Sequence, residues 1–155
     1  MKAETILTWQ IRFFGLIKIP LIFFCFPKVI SFTDNKIEIR IKLNYRTRNH
    51  LKSMYFGVLS IGADLTAGFF AMKIIKRNCY KIDLIFKDFH ANFLRRAEGD
   101  VHFICEEGKS IQDLVTLTEQ TGERKNLPVK ILAIVPSISA KPIAEFILTL
   151  SLKKR

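Results

Sequence analysis

The sequence has 155 residues, which is enough for one domain with a sizeable hydrophobic core. Hydrophobic residues make up 49% of it and 14 residues are phenylalanine, a composition that excludes a disordered chain. The formal net charge is +11, but the basic residues are scattered, which disfavours nucleic-acid binding and leaves a solvated basic surface or an anionic ligand.

Near the N-terminus, residues 4–19 mix apolar and polar positions and predict a helix that Pro20 ends. The apolar run that follows resembles part of a signal anchor. However, Lys18 and Pro20 interrupt the hydrophobic stretch, Glu4 occupies the would-be basic region, and no small-residue cleavage site follows. We therefore predict that residues 1–27 form a helix and an apolar loop packed over one end of a sheet, without a transmembrane span.

Two strands follow in the chain. The short apolar run 29–32 predicts the first, and the unbroken alternation of 36–43 predicts a second strand with one buried face. A polar and basic loop at 44–52 comes next. It leads to Ser53, which can cap a long helix over 53–77.

This long helix is apolar on every side, so it must be buried all round. Its length would suffice to span a membrane, but Asp64 near its middle has no obvious partner in another span, and the flanking half-buried strands belong to a soluble domain. Gly57, Gly62 and Gly68 each lower helix propensity by about 1 kcal/mol relative to alanine. We expect the close approach of a strand or ligand at these glycines, or simply tight packing.

After the helix, strand and turn patterns alternate, with one short amphipathic helix at 110–121 whose Ser110 and Asp113 resemble a capping box. The short connections favour hairpins and therefore an antiparallel sheet. We predict an α+β fold in which a curved antiparallel sheet wraps around the long helix. The later strands are predicted at 80–94, 101–105, 129–135 and 146–153.

The three cysteines, Cys25, Cys79 and Cys105, are far apart in the sequence and lack CxxC spacing. We predict that they are reduced core residues of a cytoplasmic protein. His102 and Cys105 are three residues apart on a predicted strand and so point to opposite faces, which predicts no metal site.

The segment from Asn49 to Asp64 resembles the signature of hot-dog-fold thioesterases, most closely the phenylacetyl-CoA-type branch and a related, poorly characterised hot-dog family. That signature has an Asn, a His-Gly-Gly six residues later, and an apolar helix with an acid nine residues after the His. Asn49, Asp64 and Gly57 occupy matching positions. Residues 92–101 resemble the strand–turn–strand that follows in the same fold, so the resemblance implies a single hot-dog domain over 1–155.

Several positions depart from this signature. Tyr55 stands where the family has His, Phe56 stands where it has its first Gly, and Lys52 occupies a position where Gly is common. Some relatives carry a Ser or Thr one or two turns beyond the acid, where this chain has Gly68 and Ala71.

The resemblance implies thioester hydrolysis at the subunit boundary of a homodimer or a tetramer. Asp64 would be the base or nucleophile, and burial would raise its pKa towards neutrality. The backbone N–H of Phe56 would be the oxyanion donor at the helix start, where amides are unpaired and the helix dipole favours negative charge. Asn49 would hold the water or orient the loop. Gly57 would belong to the same oxyanion and substrate site, and Tyr55 could donate a hydrogen bond there, where the family has His.

Three of these residues have an alternative role. Asp64 could be a structural carboxylate that is hydrogen-bonded to Ser60 or to the partner subunit. Asn49 could cap its loop, and Tyr55 could be a buried aromatic residue.

The phosphates of CoA would be attracted by basic residues at the pocket mouth, and Lys52, Arg95 and Arg96 are candidates, each with a solvated surface position as its alternative. We predict hydrolysis of acyl-CoA or acyl-carrier-protein thioesters without a cofactor. The first alternative function is a non-catalytic acyl-thioester or lipid-binding module, favoured by the bulk of Tyr55 and Phe56. The second is a hot-dog hydratase or dehydratase, disfavoured because that chemistry usually needs an acid–His pair.

Overall fold

A computed structural model describes residues 2–155, and in it a six-stranded antiparallel sheet curves around one long helix. The helices are α1 (Ala3–Lys18), α2 (Pro20–Cys25), α3 (Phe56–Arg77) and α4 (Gly108–Thr121), and the strands are β1 (Lys28–Phe32), β2 (Ile37–Ile41), β3 (Ile82–Phe93), β4 (Val101–Cys105), β5 (Lys125–Val135) and β6 (Ser139–Lys154). The strand order is β1-β2-β4-β5-β6-β3, so β1 and β3 are the sheet edges. The predicted α+β architecture is confirmed.

The long helix α3 forms the centre of the hydrophobic core. Alternate strand residues point towards it, because successive side chains of a strand lie on opposite faces of the sheet. Burial of each such large apolar side chain stabilises the fold by roughly 1.5–3 kcal/mol. Gly62 of α3 lies under the fully buried Phe103 ring, which a Cβ at this glycine would overlap. On β2 the residues that point towards α3 are Ile37, Ile39 and Ile41, all fully buried.

By length and composition alone, α3 would be able to cross a membrane. In the fold, 67% of its most apolar window is buried by the rest of the chain. The apolar character of α3 is therefore explained by its position as the core helix of the sheet.

The helix begins at Phe56, three residues later than predicted. Ser53 does not cap it, because the Ser53 amide and hydroxyl both donate to the Asn49 side-chain oxygen, at 3.2 and 3.3 Å. The Met54 amide donates to the Ala97 carbonyl at 2.8 Å. These tertiary hydrogen bonds hold the preceding residues out of the helical conformation.

The N-terminal segment forms two helices, whereas the sequence predicted a helix and an apolar loop. Pro20 occupies the start of α2, where its missing N–H costs nothing and its fixed φ suits a helix. Phe26, with a φ of 51°, ends α2. The α1 helix covers the β1 edge of the sheet, where the Val29 N–H donates to the Thr8 hydroxyl oxygen at 3.0 Å.

The short helix α4 also differs from its prediction at the start. It begins at Gly108, and the proposed capping box does not form, because Asp113 pairs with Lys109 at 3.0 Å and Ser110 lies inside the first turn. A Cβ at Gly108 would overlap the backbone carbonyl of Asp34. This close backbone approach fixes where α4 begins.

Candidate active site

Asp64 lies on the third turn of α3, where two openings meet. We call them the inner pocket, with a volume of about 280 Å³, and the outer groove, of about 260 Å³, which is open to solvent beside β3. The inner pocket is apolar and is formed by Phe14, Ile19, Ile22, Gly68, Met72 and Phe86 together with Asp64. The outer groove is formed by Ser60, Ile61, Phe89 and Leu148 together with Phe86 and Asp64.

The Asp64 carboxyl is partly buried and unpaired. Desolvation penalises its charged form and raises its pKa above the usual range of an aspartate. Within residues 2–155 no group donates a hydrogen bond to it, and the Ser60 hydroxyl instead donates to the Phe56 carbonyl at 3.0 Å. The alternative in which Ser60 holds Asp64 is therefore wrong. An unpaired carboxylate of raised pKa beside an apolar pocket is suited to general-base chemistry.

The first amides of α3 are available to an anion. The Val58 N–H donates to the Tyr55 carbonyl at 2.9 Å, whereas the N–H groups of Phe56 and Gly57 have no acceptor in the described part of the chain. The Phe56 ring packs against Phe93 of β3, with ring centroids 6.3 Å apart. Free amides at a helix N-terminus favour negative charge, so this position suits an oxyanion.

Tyr55 borders this helix start and is not the buried aromatic considered as an alternative, since 47% of it is exposed. Its ring lies over Gly57, where a Cβ would come within 2.5 Å of the ring. Only glycine therefore fits at position 57 while Tyr55 keeps this orientation.

Asn49 organises the loop that precedes α3. Its side-chain oxygen accepts hydrogen bonds from the Leu51 amide at 2.9 Å and from Ser53 at 3.2 and 3.3 Å. Its side-chain NH₂ group has no acceptor among residues 2–155. The loop-capping role considered for Asn49 is present in the geometry, and its amide donor remains open for a second role.

The predicted acid and the predicted oxyanion donor do not meet within one chain. Asp64 and Phe56 lie eight residues apart on one helix, which places them roughly 12 Å apart along its axis at 1.5 Å per residue. One reacting carbonyl cannot contact both groups of the same chain.

A family described as a domain of unknown function (DUF4442) matches residues 8–137, which cover most of the chain. The chain belongs to the DUF4442 family. No curated protein sequence matches it at a significant level.

Three of the solved structures similar to this DUF4442 chain cover nearly all of its length. A protein of unknown function from Chlorobaculum tepidum, OLEI01261, has a TM-score of 0.84 at 11% identity, covering 98% of this chain and 97% of its own. A thioesterase candidate from Shewanella oneidensis has a TM-score of 0.79 at 17% identity, with 97% and 99% covered. The Pseudomonas aeruginosa protein PA5026, of unknown function and described as a probable thioesterase, has a TM-score of 0.77 at 19% identity, with 100% and 99% covered. The predicted hot-dog fold is confirmed, and the resemblance to hot-dog thioesterases is confirmed at the level of the fold.

Basic residues of the DUF4442 chain gather beside the start of α3. Arg95 and Arg96 line a groove of about 240 Å³ together with Lys141, which the sequence did not single out. Arg96 donates to the Leu51 carbonyl at 3.3 Å, which brings the groove next to Lys52. Lys52 has a φ of 62°, in the left-handed region that favours glycine, and it occupies the position where the signature that the sequence resembles commonly has Gly.

The sequence did not indicate the aromatic residues that β3 contributes to the candidate active site. The rings of Phe56, Phe93, Phe146 and Phe89 follow one another with centroid distances of 6.3, 5.9 and 5.8 Å, and they lead from the start of α3 to the outer groove. A register irregularity after Phe86 keeps Phe89 and Phe93 on the inner face of the sheet. Without that irregularity the alternation would have placed them on the outside.

Proposed function

We propose that this protein hydrolyses acyl thioesters, with acyl-CoA as the substrate class and Asp64 as the general base. The observation that carries the proposal is the unpaired Asp64 carboxyl, whose pKa is raised by burial, at the junction of an apolar pocket and an open groove. Two structural neighbours that are described as candidate or probable thioesterases support the same chemistry.

In this mechanism Asp64 takes a proton from a water molecule as the water oxygen bonds to the thioester carbonyl carbon. The carbonyl oxygen becomes an oxyanion, which the free amides of Phe56 and Gly57 stabilise by hydrogen bonding. The C–S bond then breaks, the proton held by Asp64 passes to the leaving thiolate, and a carboxylic acid and a thiol are released. The side-chain NH₂ of Asn49 can hold the attacking water.

The site requires two copies of the chain, because the acid and the amides of one α3 lie roughly 12 Å apart. Packing two α3 helices in opposite directions would set Asp64 of one copy beside the helix start of the other. We therefore propose a homodimer, with a tetramer as its possible further association, and an active site at each end of the paired helices.

The β3 edge is the proposed dimer contact. The β1 edge is covered by α1, but β3 is twelve residues long, ends the sheet, and exposes Phe89 and Phe93. A long edge strand with unpaired backbone groups and apolar side chains is a template for pairing with another chain.

Phe89→Glu is expected to convert the dimer to a monomer, because it places a charge on this apolar edge. Wild type should have about twice the chain mass of 17.9 kDa by sedimentation equilibrium, and the variant about the chain mass. The matched control is Leu117→Glu, since Leu117 is similarly exposed but lies on α4, outside the β3 strand. A wild-type monomer, or a variant that keeps the dimer mass, would contradict this contact.

The inner pocket is the proposed site for the acyl chain, because its lining is apolar and it ends at Asp64. Gly68 lies on its wall, and a Cβ there would meet Phe86 at 3.5 Å, an ordinary contact that leaves the pocket open. From Asp64 to Met72 the wall runs roughly 12 Å along α3, so a chain of medium length would fill it.

Gly68→Val should shorten the preferred acyl chain. The added side chain fills pocket volume, and each methylene excluded from the pocket costs about fourfold in kcat/KM. We expect a loss of about tenfold or more for the longest accepted chain, while acetyl-CoA, the internal control, changes little. A uniform loss over all chain lengths would mean that the acyl chain does not lie beside Gly68.

The basic groove is the proposed site for the CoA phosphates. Arg95, Arg96, Lys52 and Lys141 give this edge of the site, next to the helix start, a net positive charge, although Glu98 also lines the groove, 4.0 Å from Arg96. The same charges would suit an acidic acyl-carrier protein, so the carrier is an outcome to be measured. Burial raises the pKa of the Cys25 thiol to about 11 and that of Cys105 to about 12, so both stay protonated. Cys79 is exposed, so the prediction that all three cysteines are core residues is wrong for Cys79. The cytoplasmic location stays a proposal.

The proposal is tested by the release of free thiol from purified wild-type protein with short, medium, long and aromatic acyl-CoAs, and with an acyl-carrier-protein thioester. Hydrolysis with a medium-chain optimum is expected. Tight binding of acyl-CoA without hydrolysis would establish the binding-module alternative instead. Hydration of an enoyl-CoA without thiol release would establish the hydratase alternative.

A further inference from the structure

The N-terminal helix α1 is apolar on two opposite faces. Its buried face, with Leu7, Ile11 and Gly15, packs against the rest of the protein. At 3.6 residues per turn, a second set of large apolar residues occupies an arc of roughly 100° on the opposite side. This second set is exposed to solvent and consists of Ile6, Trp9, Phe13, Leu16 and Ile17.

The neighbouring helix α2 extends this exposed surface. The Arg12 guanidinium lies 3.6 Å from the centre of the Phe26 ring and 5.7 Å from that of Trp9, so the two helices present one continuous face. We call it the N-terminal apolar surface, and its residues are between 39% and 64% exposed. It comprises Ile6, Trp9, Phe13, Leu16, Ile17, Leu21, Phe24 and Phe26.

Basic residues border this surface on both sides. Arg46 lies 5.7 Å from the centre of the Phe24 ring, and Lys18, Lys73 and Lys76 line a groove with Phe13 on the other side. With Arg12, five cations border the surface. Within residues 2–155, none of the five forms an ion pair with a carboxylate. The border therefore keeps its full positive charge.

We propose that the N-terminal apolar surface docks the protein on an anionic lipid bilayer. A helix face of Trp, Phe and Leu flanked by Lys and Arg lies in the interface of a membrane, with its apolar residues among the acyl chains and its cations at the headgroups. A continuous patch of eight exposed large apolar residues is rarely left in water. A second copy of this chain does not suit it, since a symmetric contact would bring the five unpaired cations against five more.

Docking would also bring the inner pocket close to lipid, a consequence that rests on the proposed thioesterase function. Phe14, Phe69 and Met72 line both the inner pocket and the groove beside the N-terminal apolar surface. An acyl chain leaving the bilayer at this surface would have a short path to Asp64. The docking itself does not depend on hydrolysis and is measured without substrate.

Trp9 is a built-in probe, because it is the single tryptophan of the sequence and 59% of it is exposed. On addition of vesicles of phosphatidylcholine and phosphatidylglycerol, its emission should shift to the blue and the protein should sediment with the vesicles. Binding should be at least tenfold weaker to vesicles of phosphatidylcholine alone, and it should weaken as salt is raised. No blue shift and no sedimentation with either vesicle would overturn the proposal, as would equal binding to both.

The variants Phe13→Glu and Lys73→Glu are expected to weaken binding to the anionic vesicles at least tenfold, the first through the apolar face and the second through the charged border. Leu117→Glu on α4 is the matched control and should bind as wild type does. Thermal melts of all three verify that they are folded. If Phe13→Glu instead abolishes a self-association of wild type that vesicles do not disturb, the surface covers a second copy and the proposal is wrong.

Discussion

Asp64→Asn is expected to lower kcat/KM for acyl-thioester hydrolysis by about 10²–10⁴-fold, because asparagine cannot take a proton from water. Substrate binding should change little, since the inner pocket and the helix amides remain in place. The measurement is free-thiol release by wild type and variant, with binding followed by calorimetry. Asp113→Asn, at an exposed position of α4, is the control for the same chemical change and should be fully active.

Asp64→Asn should also be more stable than wild type at mildly alkaline pH. Burial raises the pKa of Asp64 in the folded state, so the folded protein holds this proton more tightly than the unfolded chain does. Stability is therefore lost as pH rises from the ordinary aspartate range through the raised pKa. Asparagine does not titrate, so the melting temperature of Asp64→Asn should exceed that of wild type above this window and approach it below.

Two outcomes would contradict this role of Asp64. Hydrolysis by Asp64→Asn at the wild-type rate would show that another group activates the water. A lower melting temperature of the variant at high pH would show that the folded protein stabilises the charged carboxylate, contrary to its unpaired and partly buried position. Loss of activity with gained stability is the combination expected of a catalytic residue that the fold accommodates at a cost.

Gly62→Ala and Gly68→Ala are expected to differ by about 2–3 kcal/mol in the free energy of unfolding, with Gly62→Ala the less stable. Both changes lie inside α3, so the gain in helix propensity, about 1 kcal/mol each, cancels in the comparison. At Gly62 the new Cβ overlaps the Phe103 ring, which is fully buried and cannot move aside without disturbing the core. At Gly68 it meets Phe86 at 3.5 Å.

Urea denaturation of the two variants and wild type measures this difference. Gly68→Ala should be as stable as wild type or slightly more so, whereas Gly62→Ala should unfold at a markedly lower urea concentration. Equal midpoints for the two variants would mean that Phe103 does not lie over Gly62. The two variants thus test how α3 packs against the sheet, and the test does not depend on any enzymatic activity.

The central helix and the sheet could be predicted because their patterns are strong. In a chain with alternating strands, a helix that is apolar on all sides must be the core helix, so α3 could be recognised. The six apolar residues after Pro20 show no helical spacing of apolar and polar positions, so α2 was mistaken for a loop. β6 begins at Ser139, before the predicted residue 146. The beginning of β5, at Lys125, was missed for a different reason. Pro128 weakens a strand prediction, but it lies beyond the part of β5 that pairs with β4, where a missing N–H is tolerated.

The candidate site was only partly visible in the sequence. Asp64 could be found because a lone carboxylate on an apolar helix needs an explanation, and its surroundings bear out the raised pKa that burial implies. The contributions of Phe14 and Ile22 could not be found, because nothing local shows that the N-terminal helices lie against α3 and close the inner pocket. Phe89 was hidden by the strand irregularity that precedes it.

The most direct test of Asp64 as the general base is the pH dependence of kcat/KM for wild type and Asp64→Asn on one medium-chain acyl-CoA. We predict that the wild-type rate falls on the acid side with an apparent pKa above the ordinary aspartate range, because the reaction needs the Asp64 carboxylate and burial raises its pKa. The residual rate of the variant should lack this acid limb. A wild-type rate that stays constant down into the ordinary aspartate range, or an identical acid limb in Asp64→Asn, would contradict Asp64 as the base.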